Sequence, residues 1–115
     1  MDETIYNSSP VGKRLEAVKR SEKCCIMFKG KKIPLITKIT LGREKDNDLV
    51  LDSKLISRYH AYIQKIRSEY FIRDLHSANG TFINGNRIEG DKYYKINPRD
   101  SIKIANIEIS FLNEK

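Results

Sequence analysis

The sequence lacks the features that mark membrane-spanning and secreted proteins. No apolar run approaches the ~20 residues that a membrane-spanning helix needs, and the N-terminus MDETIYNSSP has neither the basic start nor the apolar stretch of a signal peptide. The two cysteines, Cys24 and Cys25, are neighbours, which excludes a disulfide framework and a zinc pattern. We therefore expect no membrane span and a reducing, cytoplasmic compartment, with one cysteine facing the core and the other facing solvent.

Internal repeats and low-complexity tracts are also absent, and 115 residues fit one domain. Residues 1–23 are polar at first and then place Val11, Leu15 and Val18 at helical spacing, although isolated helices shorter than ~12–15 residues rarely hold in water. We expect this segment to be a flexible or partly helical arm, and residues 24–113 to form the domain. The net charge of +7 favours anionic partners without saying which.

Short apolar and polar alternations predict strands from Cys24 onward. The runs are CCIMFK, IPLIT, KITLGR, DLVL, RYHAYIQ, EYFIRD, TFIN, NRI, YYKI, DSIKIA and IEISFL. Asn84-Gly85 predicts a type I′ hairpin turn, because that turn needs positive φ at both central residues. Lys29–Lys32 and Asn106 are further turn candidates. About ten short strands without a helix predict a β-sandwich, whose function lies in the loops at one end.

Three loops between these runs carry polar side chains suited to a phosphate ester on a peptide. Arg43 follows KITLG, Ser57 and Arg58 follow DSKLI, and Asn79 lies in HSANG. A guanidinium forms a planar fork that matches phosphate oxygens. A serine hydroxyl adds a neutral hydrogen bond, and an asparagine amide both donates to and accepts from a peptide main chain. Gly42 allows a close backbone approach or an unusual φ beside the arginine, but spacing alone does not bring the loops together.

The run LGREKDNDLVL, then ISRYHA, then DLHSANGTFINGNRI resembles the forkhead-associated (FHA) domain family over residues 24–113. The resemblance implies an all-β sandwich of about eleven short, mainly antiparallel strands. It implies a module that binds phosphothreonine peptides, in preference to phosphoserine peptides, without catalysis, cofactor or metal. Arg43 and Ser57 would contact the phosphate, with Arg58 as a further contact, and Asn79 would bind the peptide backbone.

The same resemblance gives loop-supporting roles to Gly42, His60, Gly80, Thr81, Asn84 and Gly85. The last four would shape the turn that presents Asn79. Two positions depart from the family pattern. Ala78 replaces the threonine that many relatives carry before the asparagine, which removes one phosphate hydrogen bond of about 0.5–1.5 kcal/mol. Leu55 stands where some relatives carry a cation, so an acidic preference three residues after the phosphothreonine is not supported.

The implied partner is a threonine-phosphorylated protein or peptide, bound by a monomeric domain in a Ser/Thr kinase pathway. Thr4, the only threonine before the strands, is a candidate regulatory phosphosite. The resemblance suggests this, because certain bacterial members of the family are switched off by a phosphorylated N-terminal threonine. The chain's own N-terminal tail is therefore a second candidate ligand. A phospho-independent FHA interaction module stays open as an alternative.

Two other function classes find less support in the residues. An enzyme would pair Ser57 with His60 and Asp74, but there is no nucleophile elbow, and residues three apart on a strand point to opposite faces. A basic nucleic-acid-binding domain would explain the net charge, with Tyr59 and Tyr62 interspersed. Its positive charges are scattered, however, and no RRM, KH or helix-turn-helix signature appears. We predict neither an enzyme nor a nucleic-acid binder.

Overall fold

The computed structural model describes residues 24–113, which form eleven strands and no helix. The strands are β1 (Cys24–Phe28), β2 (Lys31–Pro34), β3 (Lys38–Gly42), β4 (Leu49–Val50), β5 (Ala61–Ile66), β6 (Glu69–Asp74), β7 (Thr81–Ile83), β8 (Asn86–Arg87), β9 (Tyr93–Ile96), β10 (Ser101–Ile104) and β11 (Ile107–Asn113). The predicted arm, residues 1–23, and the candidate phosphosite Thr4 lie outside the described residues. Between residues 24 and 113 the chain forms no helix that could span a membrane.

The strands form two sheets that share one core. One sheet has the order β2-β1-β11-β10-β7-β8, and the other has the order β4-β3-β5-β6-β9. The pair β3–β4 is parallel, whereas the long pairs such as β5–β6 and β1–β11 are antiparallel. The predicted all-β, mainly antiparallel sandwich is therefore confirmed.

Period-two alternation along each strand builds the core. In β6 the side chains of Tyr70, Ile72 and Asp74 are buried, while those between them are only partly covered. Both sheets contribute fully buried side chains to the space between them, including Ile26, Leu41, Ile63, Ile72, Ile102, Ile104 and Phe111. Burying each of these contributes about 1.5–3 kcal/mol. The resulting rigid sandwich holds its loops in fixed positions.

The first hairpin is tighter than the turn predicted over Lys29–Lys32. Lys29 and Gly30 have φ values of 49° and 77°, so two residues close the turn and β2 begins at Lys31. β2 then ends at Pro34, before the end of the predicted run IPLIT. The N–H of Leu35 still donates to the carbonyl of Cys24 at 2.9 Å, so Pro34 lies at a position where the ladder needs no N–H.

The last hairpin turns through Ala105 and Asn106, where the sequence predicted a turn. The left-handed residue is Ala105, with a φ of 55°, and not Asn106. The Ala105 N–H donates to the carbonyl of Gly80 at 2.9 Å. Local propensity would assign the left-handed conformation to Asn106 and not to Ala105. The conformation of Ala105 is accompanied by this hydrogen bond to a loop that is distant in sequence.

The prediction of one core and one surface cysteine is wrong, because both thiols are buried, at 7% and 3% exposure. Cys24 belongs to the core cluster. Cys25 lies between Pro34 and Leu112 on the neighbouring strands. A small side chain between two larger ones is shielded even on the outer face of a sheet.

Candidate functional site

The three polar loops meet at one end of the sandwich, and the segment between β4 and β5 is their common partner. The N–H of Arg43 donates to the carbonyl of Ser57 at 3.1 Å. The side-chain Nδ2 of Asn79 donates to the carbonyl of Leu55 at 2.8 Å. Arg43 and Asn79, which are 36 residues apart in sequence, therefore contact the same three-residue stretch, residues 55–57. The convergence that spacing left open is present in the fold.

Arg43 lies exposed directly after β3. Its Nε donates to the carbonyl of Ile56 at 3.0 Å, which fixes the orientation of the guanidinium. The two terminal amino groups make no hydrogen bond or ion pair with the described residues. An anchored guanidinium with both terminal groups available presents the paired donors that match two phosphate oxygens.

Gly42 and Asn47 hold the Arg43 loop against the segment that follows β4. A Cβ on Gly42 would stand 2.2 Å from the carbonyl oxygen of Arg58. The absence of a side chain at Gly42 therefore lets the backbone of Arg58 pass close to it. The buried Asn47 donates through Nδ2 to the carbonyls of Glu44 at 2.8 Å and Arg58 at 2.9 Å. The sequence reasoning did not single out Asn47. Its signal was an uncharged amide within the charged run EKDND.

Ser57 is half-buried, and its Oγ accepts a hydrogen bond from the N–H of Ala78 at 3.2 Å. The hydroxyl hydrogen is not used in that bond, so the group can donate to a ligand. The same bond links the loop of Ser57 to the loop of Asn79. Arg58 is exposed, and its guanidinium makes no hydrogen bond or ion pair with the described residues.

Asn79 is exposed and uses one amide hydrogen to tether its side chain to Leu55. Its Oδ1 atom and its second amide hydrogen make no hydrogen bond within residues 24–113. An amide fixed through one donor presents an acceptor and a donor at set positions. Such a pair matches the N–H and C=O groups of an extended peptide.

His60 is fully buried beneath these loops and binds main-chain groups on both sides. Its Nδ1 accepts from the N–H of Ser57 at 3.1 Å, and its Nε2 lies 2.9 Å from the carbonyl of Gly80. Nδ1 is therefore the acceptor and Nε2 the donor of a neutral ring. Burial lowers the pKa of His60, although the Gly80 carbonyl and Asp74 oppose this.

The placement of Ser57 and His60 corrects one argument made from the sequence. Both residues precede β5, which begins at Ala61 and not at Arg58, so the reasoning from opposite faces of a strand is wrong. The lone pair of Nδ1 is occupied by a main-chain N–H. His60 therefore connects two loops through main-chain groups, which agrees with the supporting role expected of it.

Asp74 is the centre of a buried polar cluster below Asn79. Its carboxylate accepts from the Ser77 N–H at 2.9 Å, the Ser77 hydroxyl at 2.6 Å and the Thr81 hydroxyl at 2.7 Å. Burial opposes ionisation of this carboxyl, but the hydrogen bonds outweigh it and the pKa of Asp74 is lowered. The Ser77 hydroxyl also accepts from the N–H of Gly80 at 3.0 Å. The cluster thereby fixes both ends of the loop that carries Asn79.

Asn84 and Gly85 form the predicted two-residue hairpin turn, with φ values of 51° and 85°. This turn lies at the end of β7 opposite Asn79. Asn84 donates to Asp100 at 3.1 Å and accepts from the N–H of Ser101 at 2.9 Å. Its contacts therefore order the β7–β8 turn and not the turn that presents Asn79.

Two mycobacterial proteins contain regions similar in sequence to this chain. The chain is 40% identical over 83 residues to the transcriptional regulatory protein EmbR of Mycobacterium tuberculosis, covering 71% of this chain and 21% of EmbR. It is 37% identical over 73 residues to the ABC transporter ATP-binding/permease protein Rv1747 of the same organism, covering 64% of this chain and 8% of that protein. The chain thus spans about a fifth or less of the length of these relatives.

Solved structures match the fold. The structure of Mycobacterium tuberculosis EmbR in complex with a low affinity phosphopeptide aligns with a TM-score of 0.73 and 30% identity, over 90% of this chain and 29% of that one. The FHA domain of the CT664 protein from Chlamydia trachomatis aligns with a TM-score of 0.74 and 21% identity, over 81% of this chain and 99% of that one. A family model of the FHA domain matches residues 39–105. The chain belongs to the FHA domain family.

Proposed function

We propose that residues 24–113 bind a threonine-phosphorylated protein or peptide through the loops at one end of the sandwich. The phosphate lies against Arg43, Ser57 and Arg58, and the peptide main chain lies against Asn79. The supporting observation is the shared segment at residues 55–57. It tethers the loops of Arg43 and Asn79 and leaves ligand-ready donors on both.

Charge supports the same assignment. Arg43 and Arg58 are both exposed, and neither forms an ion pair with a carboxylate of the described residues. A phosphothreonine carries a charge of about −1.5 to −2 at neutral pH. Each charge-assisted hydrogen bond to it is worth about 1.5–3 kcal/mol. Two exposed guanidinium groups, of which that of Arg43 is held in place by the Ile56 carbonyl, therefore favour a phosphorylated ligand strongly over an unphosphorylated one.

The site recognises its ligand and performs no reaction on it. His60 is the base that the sequence offered as a partner for Ser57, and both of its ring nitrogens are engaged by main-chain groups. EmbR, whose sequence resembles this chain, has been solved with a phosphopeptide, and we extend that ligand class to this protein.

Matched peptides test the proposal. An oriented phosphothreonine library gives the best-bound sequence, which is then measured by calorimetry against the intact chain in its phosphothreonine, phosphoserine and threonine forms. We expect the phosphothreonine peptide to bind and the threonine peptide to show no measurable binding. The phosphoserine form should bind about fourfold more weakly, since one buried methyl group is worth about 0.8 kcal/mol. Equal binding of phosphorylated and unphosphorylated forms would support the phospho-independent alternative.

We also propose that phosphorylated Thr4 occupies the same site and excludes external ligands. The segment of residues 5–23 can extend up to ~60 Å at ~3.3 Å per residue, and tethering gives an effective concentration of up to about 1 mM. Phosphorylation of Thr4 in the intact chain should shift the amide NMR signals of Arg43, Ser57 and Asn79. The same chain should bind added phosphopeptide more weakly, and Thr4→Ala should abolish both effects. Unchanged signals and affinity after phosphorylation would contradict this regulation.

A further inference from the structure

Arg87, in β8, lies against the loop that carries Asn79. A Cβ on Gly80 would stand 2.7 Å from the Nε and 3.0 Å from the Cζ of Arg87. The guanidinium therefore crosses the backbone of the residue that directly follows Asn79. Gly80 has a φ of 89°, and its lack of a side chain leaves room for this crossing. The sequence motif assigns no role to Arg87.

A surface cleft of about 390 Å³ opens beside this guanidinium. It is lined by residues of the loop before Asn79 and of the segment after β8, among them Asp74, His76, Ser77, Arg87, Glu89 and Gly90. The cleft therefore continues the ligand-facing end of the sandwich. A peptide that contacts Asn79 has space to extend into it.

The carboxylates that line the cleft have partners other than Arg87. Asp74 accepts three hydrogen bonds within its own buried cluster. Glu89 pairs with Lys92 at 2.8 Å. The side chain of Arg87 is exposed, and its guanidinium makes no hydrogen bond or ion pair with any residue between 24 and 113. Its donors are consequently open to an external acceptor.

A continuous series of contacts connects Arg43 to Arg87 across the site. Arg43 contacts the segment at residues 55–57, that segment contacts Asn79, and the next residue, Gly80, lies under Arg87. We propose that Arg87 determines specificity by pairing with an acidic side chain of the phosphothreonine ligand, next to the part bound by Asn79. This inference rests on the proposed function and adds a preference within it. The preference does not depend on Leu55, which offers no charge.

A charge scan of the ligand tests this role. The probes are phosphothreonine peptides with alanine at all other positions, each carrying a single Glu or Lys at one of the five places on either side. Binding to the intact chain is followed by fluorescence anisotropy at low salt. We expect one position at which Glu is favoured over Lys by about fivefold, as for a partly exposed ion pair. Arg87→Gln should abolish that preference and leave the affinity for the all-alanine peptide within about twofold.

Two further variants define the outcome. Arg87→Glu should reverse the preference in favour of Lys. Arg67→Gln removes the same charge from the exposed turn between β5 and β6, at the opposite end of β5 from His60, and should retain the preference for Glu. The inference is overturned by a wild-type chain that binds the peptides without favouring Glu anywhere, or by a preference that survives in Arg87→Gln. A wild-type chain that binds none of the phosphopeptides overturns the proposed function, and this inference with it.

Discussion

The two Asn-Gly pairs at the ends of β7 share a sequence but differ in their surroundings. Asn84 and Gly85 both have positive φ and close a two-residue turn, and a Cβ on Gly85 would meet nothing within 4 Å. In the other pair only Gly80 has positive φ. Gly80 is buried, with the Arg87 side chain across it, while Asn79 is exposed. One pair makes a turn, and the other presents a side chain.

The supporting aspartates differ in the same way. Asp74, below the first pair, is 4% exposed and accepts three hydrogen bonds. Asp100, beside the second pair, is half-buried and accepts from Asn84 at 3.1 Å and from the Asn97 N–H at 2.7 Å. The half-buried Asp100 belongs to a loop 16 residues from Asn84, whereas the buried Asp74 binds residues only three and seven positions away. Burial, and not distance in sequence, therefore separates the two supports. The side chain of Asn79 is tethered in addition to Leu55 in another loop.

The largest expected difference between the two regions is in stability. Asp74→Ala leaves the hydroxyl and N–H of Ser77 and the hydroxyl of Thr81 as buried donors without their acceptor. We expect the free energy of unfolding to fall by roughly 3–5 kcal/mol, or the domain to fail to fold. Asp100→Ala should cost about 0.5–1.5 kcal/mol. Urea unfolding at neutral pH measures both, and equal losses would contradict the comparison.

The asparagines should separate binding from stability. Asn79→Ala removes the tether to Leu55 and the groups that face the peptide backbone, so phosphopeptide affinity should fall about tenfold, or ~1.4 kcal/mol. Asn84→Ala should lower the free energy of unfolding by about 1 kcal/mol and leave the affinity unchanged. Calorimetry with the library-selected phosphothreonine peptide, together with thermal unfolding, gives both quantities. A loss of affinity in Asn84→Ala that matches the loss in Asn79→Ala would refute the separate roles.

A smaller effect should appear on acidification. The pKa of His60 is lowered in the folded state from its ordinary value of 6.5, so below that pH the unfolded state binds more protons and stability falls. The pKa of Asp74 is lowered from 3.8, so its contribution is present above 3.8 and is lost as the pH falls towards the folded value. Urea midpoints between pH 7 and 5 should decrease in the wild type and in His76→Gln. They should change less in His60→Gln, and a wild-type midpoint that does not change would contradict this account of His60.

Much of the fold could be predicted because it depends on local patterns. Alternating apolar residues predicted the strands. Asn84-Gly85 predicted its turn, because few residue pairs adopt positive φ at two successive positions. Errors arose where distant groups decide the outcome. Ala105 adopts the left-handed conformation and bonds to Gly80. Cys25 is shielded by residues of adjacent strands.

The residues of the site could be predicted from the sequence, but the hydrogen bonds that hold them in place could not. Arg43, Ser57 and Asn79 follow from the motif, and the structure brings them together, while their contact with a ligand stays a prediction. The tethers of Arg43 to Ile56 and of Asn79 to Leu55 involve main-chain carbonyls. No residue type encodes such an acceptor, so the sequence could not reveal these tethers.

The central claim is that the guanidinium of Arg43 holds the phosphate of a phosphothreonine ligand. Calorimetry of Arg43→Ala with the library-selected phosphothreonine peptide tests it most directly, with Arg67→Ala as the matched control. We expect the affinity to fall by about tenfold to a hundredfold, from the loss of a charge-assisted contact worth ~1.5–3 kcal/mol, with thermal stability retained. Arg43→Lys should recover only part of the affinity, because an ammonium lacks the planar fork. Unchanged affinity in Arg43→Ala would contradict the assignment of this site.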